Sequence, residues 1–228
     1  MAKVQRKVVK RGKRSGLSTG MTLVILGGAV IVVAALAWLL WPRPKVVVAG
    51  DPQGLAMCGS VPCPTKGDPN APVKMIEVSD YGCSHCRDYT LNTESTIEEQ
   101  YIKTGKVYYV GHVFGFQAQT QAVAAAALCA NDQNKFWEYH AVLFRNQGSF
   151  DPASLIAYAQ QIGLDTQTFA NCVSSGKYRS AVEASSNAAL SAGVEGTPSF
   201  FINGKMVTGD VPLAEFKARL DEAAKASK

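Results

Sequence analysis

The sequence predicts an α/β domain whose elements run βαβ, a block of helices, then ββα, with one membrane-spanning helix ahead of it. Three observations lead there. The runs "VKMIEV" (73–78) and "KVYYVGHVF" (106–114) are short, apolar and rich in β-branched residues, and a helical stretch separates them. That is the pattern of two parallel strands joined by a crossover helix. Further on, "SFFI" and "KMVTG" flank Asn203-Gly204, a two-residue hairpin signal. Near the start, Met21 to Trp41 contains no charged residue.

Residues 1–20 carry seven basic residues (Lys3, Arg6, Lys7, Lys10, Arg11, Lys13, Arg14) and no acidic one. The uncharged segment behind them would form a helix about 31 Å long, enough to cross the hydrocarbon layer. Trp38 and Trp41 fall at its far end, where indole rings favour the interface. Basic residues before a span predict a cytoplasmic N-terminus, so everything after residue 41 is expected on the outer side of the membrane. A cleaved signal peptide is the alternative, but the apolar run is long for one and Pro42-Arg43-Pro44-Lys45 follows at once. Residues 51–228 hold 14 basic and 18 acidic side chains against a net charge of +5 for the whole chain. The folded part is therefore mildly acidic, which excludes a basic nucleic-acid stripe. The basic tail is topogenic first, and contact with anionic lipid is secondary.

Residues 42–70 read as a Pro- and Gly-rich extracytoplasmic linker holding Cys58 and Cys63. A domain spans 71–228. After strand 73–78, "RDYTLNTESTIEEQYIKTG" (87–105) is a helix with Tyr89, Ile97 and Tyr101 near one face and Gly105 as its stop. Between about 116 and 192 the chain is helical. "QTQAVAAAALCA" is Ala-rich, "NKFWEYHAVLFRN" has three-four apolar spacing, and "DPASLIAYAQQIG" opens with an Asp cap and a Pro in its first turn. "DTQTFANCVSSG" and "KYRSAVEASSNAALSAG" each end at Gly. The hairpin follows, and "PLAEFKARLDEAAKA" closes the chain as an amphipathic helix with Leu213, Phe216 and Leu220 on one side.

The chemistry gathers at "GCSHC" (82–86). Cys83 stands where the first helix begins, and the partial positive charge and free N–H groups of a helix start stabilise a thiolate. His85 lies inside the pair, and its protonated imidazole would lower the thiolate pKa further. A stabilised thiolate is the attacking species and the better leaving group in thiol–disulfide exchange. Cys83 is thus the expected nucleophile and Cys86, one turn in, the resolving thiol. Glu77 is an acidic residue in an apolar strand. Buried, its pKa would rise and it could accept the Cys86 proton; alternatively it points to solvent at a strand end. A four-Cys zinc site with Cys58 and Cys63 is disfavoured by their spacing and by an oxidising compartment, so no metal is expected. A purely structural Cys83–Cys86 bond closes too little chain to stabilise much. There is no phosphate loop, Ser-His-Asp arrangement or haem-attachment motif, and no cofactor is implied.

Taken in order, the strand, the Cys-x-x-Cys at a helix start, "AALCANDQNKFWEYHAVLF" and "GTPSFFING" resemble the DsbA-type thioredoxin-fold oxidoreductases over residues 71–222, in their membrane-anchored or secreted branch. The resemblance implies a thioredoxin fold with an inserted helical domain. It implies a cis Pro198 facing the cysteine pair, with the Thr197 backbone free to pair with an extended substrate. Glu77 falls on the family's buried acidic position. The implied activity is disulfide formation in reduced or unfolded exported polypeptides, with the dithiol re-oxidised by a quinone-linked membrane oxidase of the DsbB or VKOR type. Two positions depart from strongly oxidising relatives, Ser84 where Pro is usual and Thr197 where Val is frequent. An extracytoplasmic reductase or isomerase is therefore the nearest alternative, and a non-catalytic thioredoxin-like binding module the more distant one. Similar pairs in relatives imply a Cys129–Cys172 disulfide in the insertion. Cys58 and Cys63 are expected to pair as a staple, with an electron relay to a membrane partner as the alternative. Phe114, Phe116, Phe200 and Phe201 are read as groove-lining or core; His112 and His140 have no Cys or carboxylate partner at a recognisable spacing, and His140 is read as a core or insertion residue near Trp137.

Overall fold

In a computed structural model, residues 63–227 are described. The basic tail, the 21–41 segment, most of the predicted linker and Cys58 lie outside the described residues. Among the described residues no helix is long and apolar enough to cross a membrane.

Five strands form one mixed sheet in the order β1-β3-β2-β4-β5. Strand β2 (Val73–Ser79) runs parallel to β3 (Val107–Val113), with Glu77 opposite Gly111. Strand β4 (Ser199–Ile202) pairs antiparallel with β2, and β5 (Lys205–Thr208) with β4. Asn203 and Gly204 both take positive φ between β4 and β5, as the two-residue turn requires. One strand corrects the expected linker. Thr65–Lys66 forms β1, antiparallel to β3 at the sheet edge. Two residues give no periodic signal. What holds them is non-local: Trp137 donates its indole N–H to the Thr65 carbonyl at 3.2 Å, and Gly111 N–H bonds to the Pro64 carbonyl at 2.8 Å.

The crossover helix, α1, starts at Ser84 behind Cys83, where the cysteine turn predicts it, and is not uniform. Its α-helical pieces Ser84–Asp88 and Glu94–Ile97 are each followed by a π-helical turn, Tyr89–Thr93 and Glu98–Ile102. A wide turn adds a residue and rotates the inward stripe. As a result Tyr89, Thr93, Glu94, Ile97, Tyr101 and Ile102 are all buried. Five helices sit between β3 and β4: α2 (Ala118–Asn131), α3 (Phe136–Arg145), α4 (Pro152–Gln161), α5 (Thr166–Ser175) and α6 (Arg179–Ser191). Asp151 and Asp165 cap α4 and α5 through side-chain bonds to Ser154 and Thr168 N–H groups. Helix α7 (Leu213–Ala226) closes the domain.

The alternation along β2 decides what each face buries. Val73 and Met75 join Tyr89, Ile97, Tyr109, Phe200, Phe216 and Leu220 in one core between the sheet, α1 and α7. Ile76 packs with Val110, and Val78 with Phe114 and Ala189, on the opposite face. The inserted helices have their own core around Leu128, Tyr139, Phe144 and Phe169, and it extends to Tyr81 and Cys86. The active-site turn thus sits where the insertion meets the sheet.

Candidate functional site

The turn that carries the cysteines is built by Asp80. Its carboxylate accepts from Gly82 N–H at 2.7 Å, and its carbonyl accepts from Cys83 N–H at 2.9 Å. The second carboxylate oxygen accepts from Phe116 N–H at 2.7 Å and from the Thr120 hydroxyl at 2.9 Å. One buried side chain therefore joins the turn to the start of the insertion. From the far end of α3, Gln147 donates its amide to the carbonyls of Tyr81 at 2.9 Å and Cys83 at 2.8 Å. Neither Asp80 nor Gln147 was picked out by sequence reasoning. "DYG" does carry an Asx-turn signal, whereas Gln147 carries none.

Cys83 is the N-cap of α1, with extended backbone, and is half-buried. Cys86 is buried. Both are free thiols. A hydrogen bond from the Cys86 thiol, opposed by burial and helped by Thr197 and by the backbone N–H groups of Cys86 and His85, brings the Cys83 thiol down to about 5. Burial, together with the bond to Cys83, pushes the Cys86 thiol far up. The two sulfurs are thus unequal, with a ready thiolate outside and a thiol inside. His85 is exposed, and its backbone N–H is among the groups that lower the Cys83 thiol.

Thr197 lies against the pair, and the Thr197–Pro198 peptide bond is cis. The protonated Cys83 thiol meets the Thr197 carbonyl at 3.2 Å. Beside it opens a cleft of about 500 Å³, whose walls include Cys83, Thr197, Thr120, Gln147 and the rings of Phe116 and Phe150. Of the four phenylalanines read as groove or core, Phe116 is 46% exposed in this cleft. Phe114 and Phe200 are core, and Phe201 packs on the sheet face away from α1.

Glu77 lies in the sheet, 1% exposed. It accepts from the hydroxyls of Ser79 and Tyr109. No hydrogen bond joins it directly to Cys86 among the described residues. Burial, reinforced by the charge of Glu94, raises its pKa to about 7. Glu94 of α1 was not singled out from sequence, nor was its partner. Lys66 of β1 binds Glu94 at 2.8 Å and Glu98 at 2.7 Å, and its ammonium sits 4.3 Å over the Trp137 ring. Burial works to discharge Lys66, but the two carboxylates outweigh it and hold its pKa above the ordinary value. His140 bonds to the Tyr81 hydroxyl at 3.0 Å, and burial lowers its pKa to about 3, so the ring is neutral. His112 is buried against Ser185 and lowered to about 4 by that burial.

Cys129 and Cys172 form a disulfide between α2 and α5. Cys63 is disulfide-bonded, and Cys58 lies outside the described residues. Among the described residues no cluster of metal-ligating side chains occurs.

Residues 61–222 match the family model described as thioredoxin. Among curated relatives, the chain is 29% identical over 161 residues to the Na(+)/H(+) antiporter NhaA 1 of Salinispora arenicola, covering 69% of this chain and 24% of that protein. It spans about a quarter of the length of the relatives that it matches first. It is also 27% identical over 154 residues to the "Probable disulfide bond formation protein D" of Bacillus cereus, covering 63% of this chain and 71% of the relative. Among solved structures, oxidised BdbD of Bacillus subtilis superimposes with a TM-score of 0.65 at 22% identity, over 72% of this chain and 93% of that one.

Proposed function

This chain belongs to the thioredoxin family, and from that premise we propose that it is a DsbA-type thiol:disulfide oxidoreductase that forms disulfides in exported polypeptides. The observation that supports this most is the inequality of the two sulfurs, Cys83 lowered to about 5 and Cys86 pushed far up by burial. A stabilised thiolate favours the reduced enzyme, and a disulfide whose reduced form is favoured is an oxidant.

The reaction begins with a substrate thiolate attacking Cys83 Sγ of the Cys83–Cys86 disulfide. That bond breaks, a mixed disulfide forms at Cys83, and the electron pair left on Cys86 takes up a proton. Glu77, raised to about 7, is the acid buried nearby in the same strand that leads to the turn. The substrate's second thiolate then attacks its own bridged sulfur, and Cys83 leaves as a thiolate. The extended substrate lies in the cleft against Thr197, with an apolar side chain toward Phe116 and Phe150. His85 helps to stabilise the Cys83 thiolate through its backbone N–H. The relative called disulfide bond formation protein D supports the same reading.

The uncharged 21–41 segment anchors this domain on the outer side of the bacterial cell membrane, and a quinone-linked oxidase of the DsbB or VKOR type restores the disulfide. Ser84 and Thr197 favour a second reading, a weaker oxidant that works as reductase or isomerase. A redox titration of the Cys83–Cys86 pair tests both. A potential nearer about −120 mV agrees with the oxidase, and one near about −270 mV rules it out.

A further inference from the structure

Gln147 has one polar end engaged and one free. It lies two residues beyond α3, where its N–H bonds to the Phe144 carbonyl at 3.3 Å and the Ser149 N–H bonds to the Asn146 carbonyl at 3.1 Å. Its Nε2 meets two carbonyls, those of Tyr81 at 2.9 Å and Cys83 at 2.8 Å. A carbonyl oxygen only accepts, so the group facing both is the NH₂, and its two hydrogens are both used. The network thus assigns the amide and leaves Oε1 on its other edge. Among the described residues nothing donates to that oxygen. The buried polar side-chain atoms without a partner there belong to Tyr89, Thr90 and His140, so Oε1 is open to solvent. Gln147 is half-buried and lines the 500 Å³ cleft beside Cys83. Gly148 follows at a φ of 95° and lines the cleft with backbone alone.

An extended substrate presents N–H and C=O groups along both of its edges. One edge pairs with the Thr197 backbone. The other faces the cleft walls, and a backbone N–H withdrawn from water there needs an acceptor. Few side chains in the walls supply one. Asp80 is 4% exposed, and its oxygens already take Gly82, Phe116 and Thr120. The Gln117 side chain is engaged in capping α2. Gln119 is exposed and makes no side-chain hydrogen bond among the described residues, so ordering it costs rotamer entropy. Gln147 is already held, and its oxygen binds without that loss. Cys83 links the two sides: its sulfur meets the Thr197 carbonyl, and its own carbonyl holds Gln147. Resting on the oxidoreductase reading above, we propose that Gln147 is a substrate-binding residue, whose Oε1 accepts a backbone N–H of the extended substrate next to the cysteine that reacts with Cys83. Recognition is then of the main chain. Many sequences are accepted, and proline, which has no N–H, is rejected at that one position.

Single-turnover oxidation of a dithiol peptide series by the whole chain tests this. In each peptide one amide N–H near the first cysteine is replaced by an ester oxygen, which keeps the shape and deletes the donor. In the wild type, one position should raise the half-saturating peptide concentration about tenfold, the contribution of one hydrogen bond, with the rate at saturation unchanged. Gln147→Met keeps the length and loses the oxygen. It should bind the all-amide peptide about tenfold more weakly and be indifferent to the ester at that position. If Gln147→Met and wild type lose equally at every ester, the oxygen accepts nothing and the proposal is overturned. A Gln147 that only braces the turn would change the Cys83 titration midpoint or the saturated rate without regard to ester position, and that result overturns it too. Gln147→Lys keeps a donor for the Tyr81 and Cys83 carbonyls but has no acceptor. It should match Gln147→Met across the esters, and it decides the matter if Gln147→Met does not fold. If the wild-type chain oxidises no peptide, the proposed function fails. Calorimetric binding of the same series with serine in place of cysteine then decides this inference, and equal affinities throughout overturn it.

Discussion

Asp80 and Thr120 are joined by a 2.9 Å hydrogen bond between a buried carboxylate and a hydroxyl forty residues further along the chain. The same carboxylate also takes the N–H groups of Gly82 and Phe116. All three donors converge on two oxygens, so the cysteine turn and the cleft wall are fixed to one another by a single side chain.

Asp80→Asn puts an amide NH₂ where one oxygen accepts, and sets donor against donor. The expected loss is about 1–3 kcal/mol of stability, the cost of an unsatisfied buried group. The loss of geometry should cost activity as well, because Phe116 and Cys83 no longer keep a fixed spacing. Urea unfolding and peptide oxidation measured on the same variant check it. An Asp80→Asn chain as stable and as active as wild type contradicts this account of the turn.

The Cys83 thiol sits at about 5 rather than 9.0. In the reduced protein, thiolate absorbance should therefore titrate with a midpoint near 5. The folded pKa lies below the unfolded one, so the linked stabilisation is complete above about 9 and is lost as pH falls toward 5. Reduced protein should gain stability over oxidised protein across that window as pH rises. Cys86→Ala removes the largest cause, the thiol donor, and should raise the Cys83 midpoint. A midpoint that stays put would assign the shift to the helix start alone.

Glu77 runs with the opposite sign. Its carboxyl is raised from 4.5 to about 7, so between those values the native state keeps a proton that the unfolded chain has released. Stability should fall as pH rises through this window, and the penalty is complete above 7. Glu77→Gln removes it. At pH 8 the variant should be more stable by about 3 kcal/mol, less whatever the bonds from Ser79 and Tyr109 lose. The comparison is made on oxidised protein, where Cys83 does not titrate. Equal pH profiles for variant and wild type would remove Glu77 from the account of acid–base behaviour, whatever its burial.

Much of this domain was legible because its signals are local. Strands 73–79 and 107–113 read as apolar runs, Asn203-Gly204 as a turn, and Asp151 and Asp165 as caps, since each pattern lies within a few residues of chain. The cysteine turn read as a helix start for the same reason. What stayed hidden depends on distance along the chain. Lys66 meets Glu94 across 28 residues and Tyr81 meets His140 across 59, and neither pair has a spacing to recognise. The two π-helical turns of α1 are hidden differently. They settle which of its residues face inward, Tyr89 and Tyr101 among them, and no periodic pattern in the sequence marks them. Glu94 reads as one more polar residue on a helix until the fold buries it.

The Cys129–Cys172 disulfide ties α2 to α5 across 43 residues of chain. Cross-linking a loop of that length removes unfolded-state entropy worth about 4 kcal/mol. The bond lies in the insertion's own core, away from the 500 Å³ cleft, whose lining contains neither cysteine. Stability and chemistry should therefore separate. Cys129→Ala with Cys172→Ala should lose up to about 4 kcal/mol, less the relief of any residual order in the unfolded chain. The Cys83 titration midpoint should stay where it is, because each cause of its shift lies in the turn, in Thr197 or in burial. Denaturant unfolding and thiolate titration of the double variant decide it. A midpoint that moves with the loss of this distant bond would mean that the insertion's rigidity, carried through Gln147 and its bond to the Cys83 carbonyl, sets the reactivity of the sulfur.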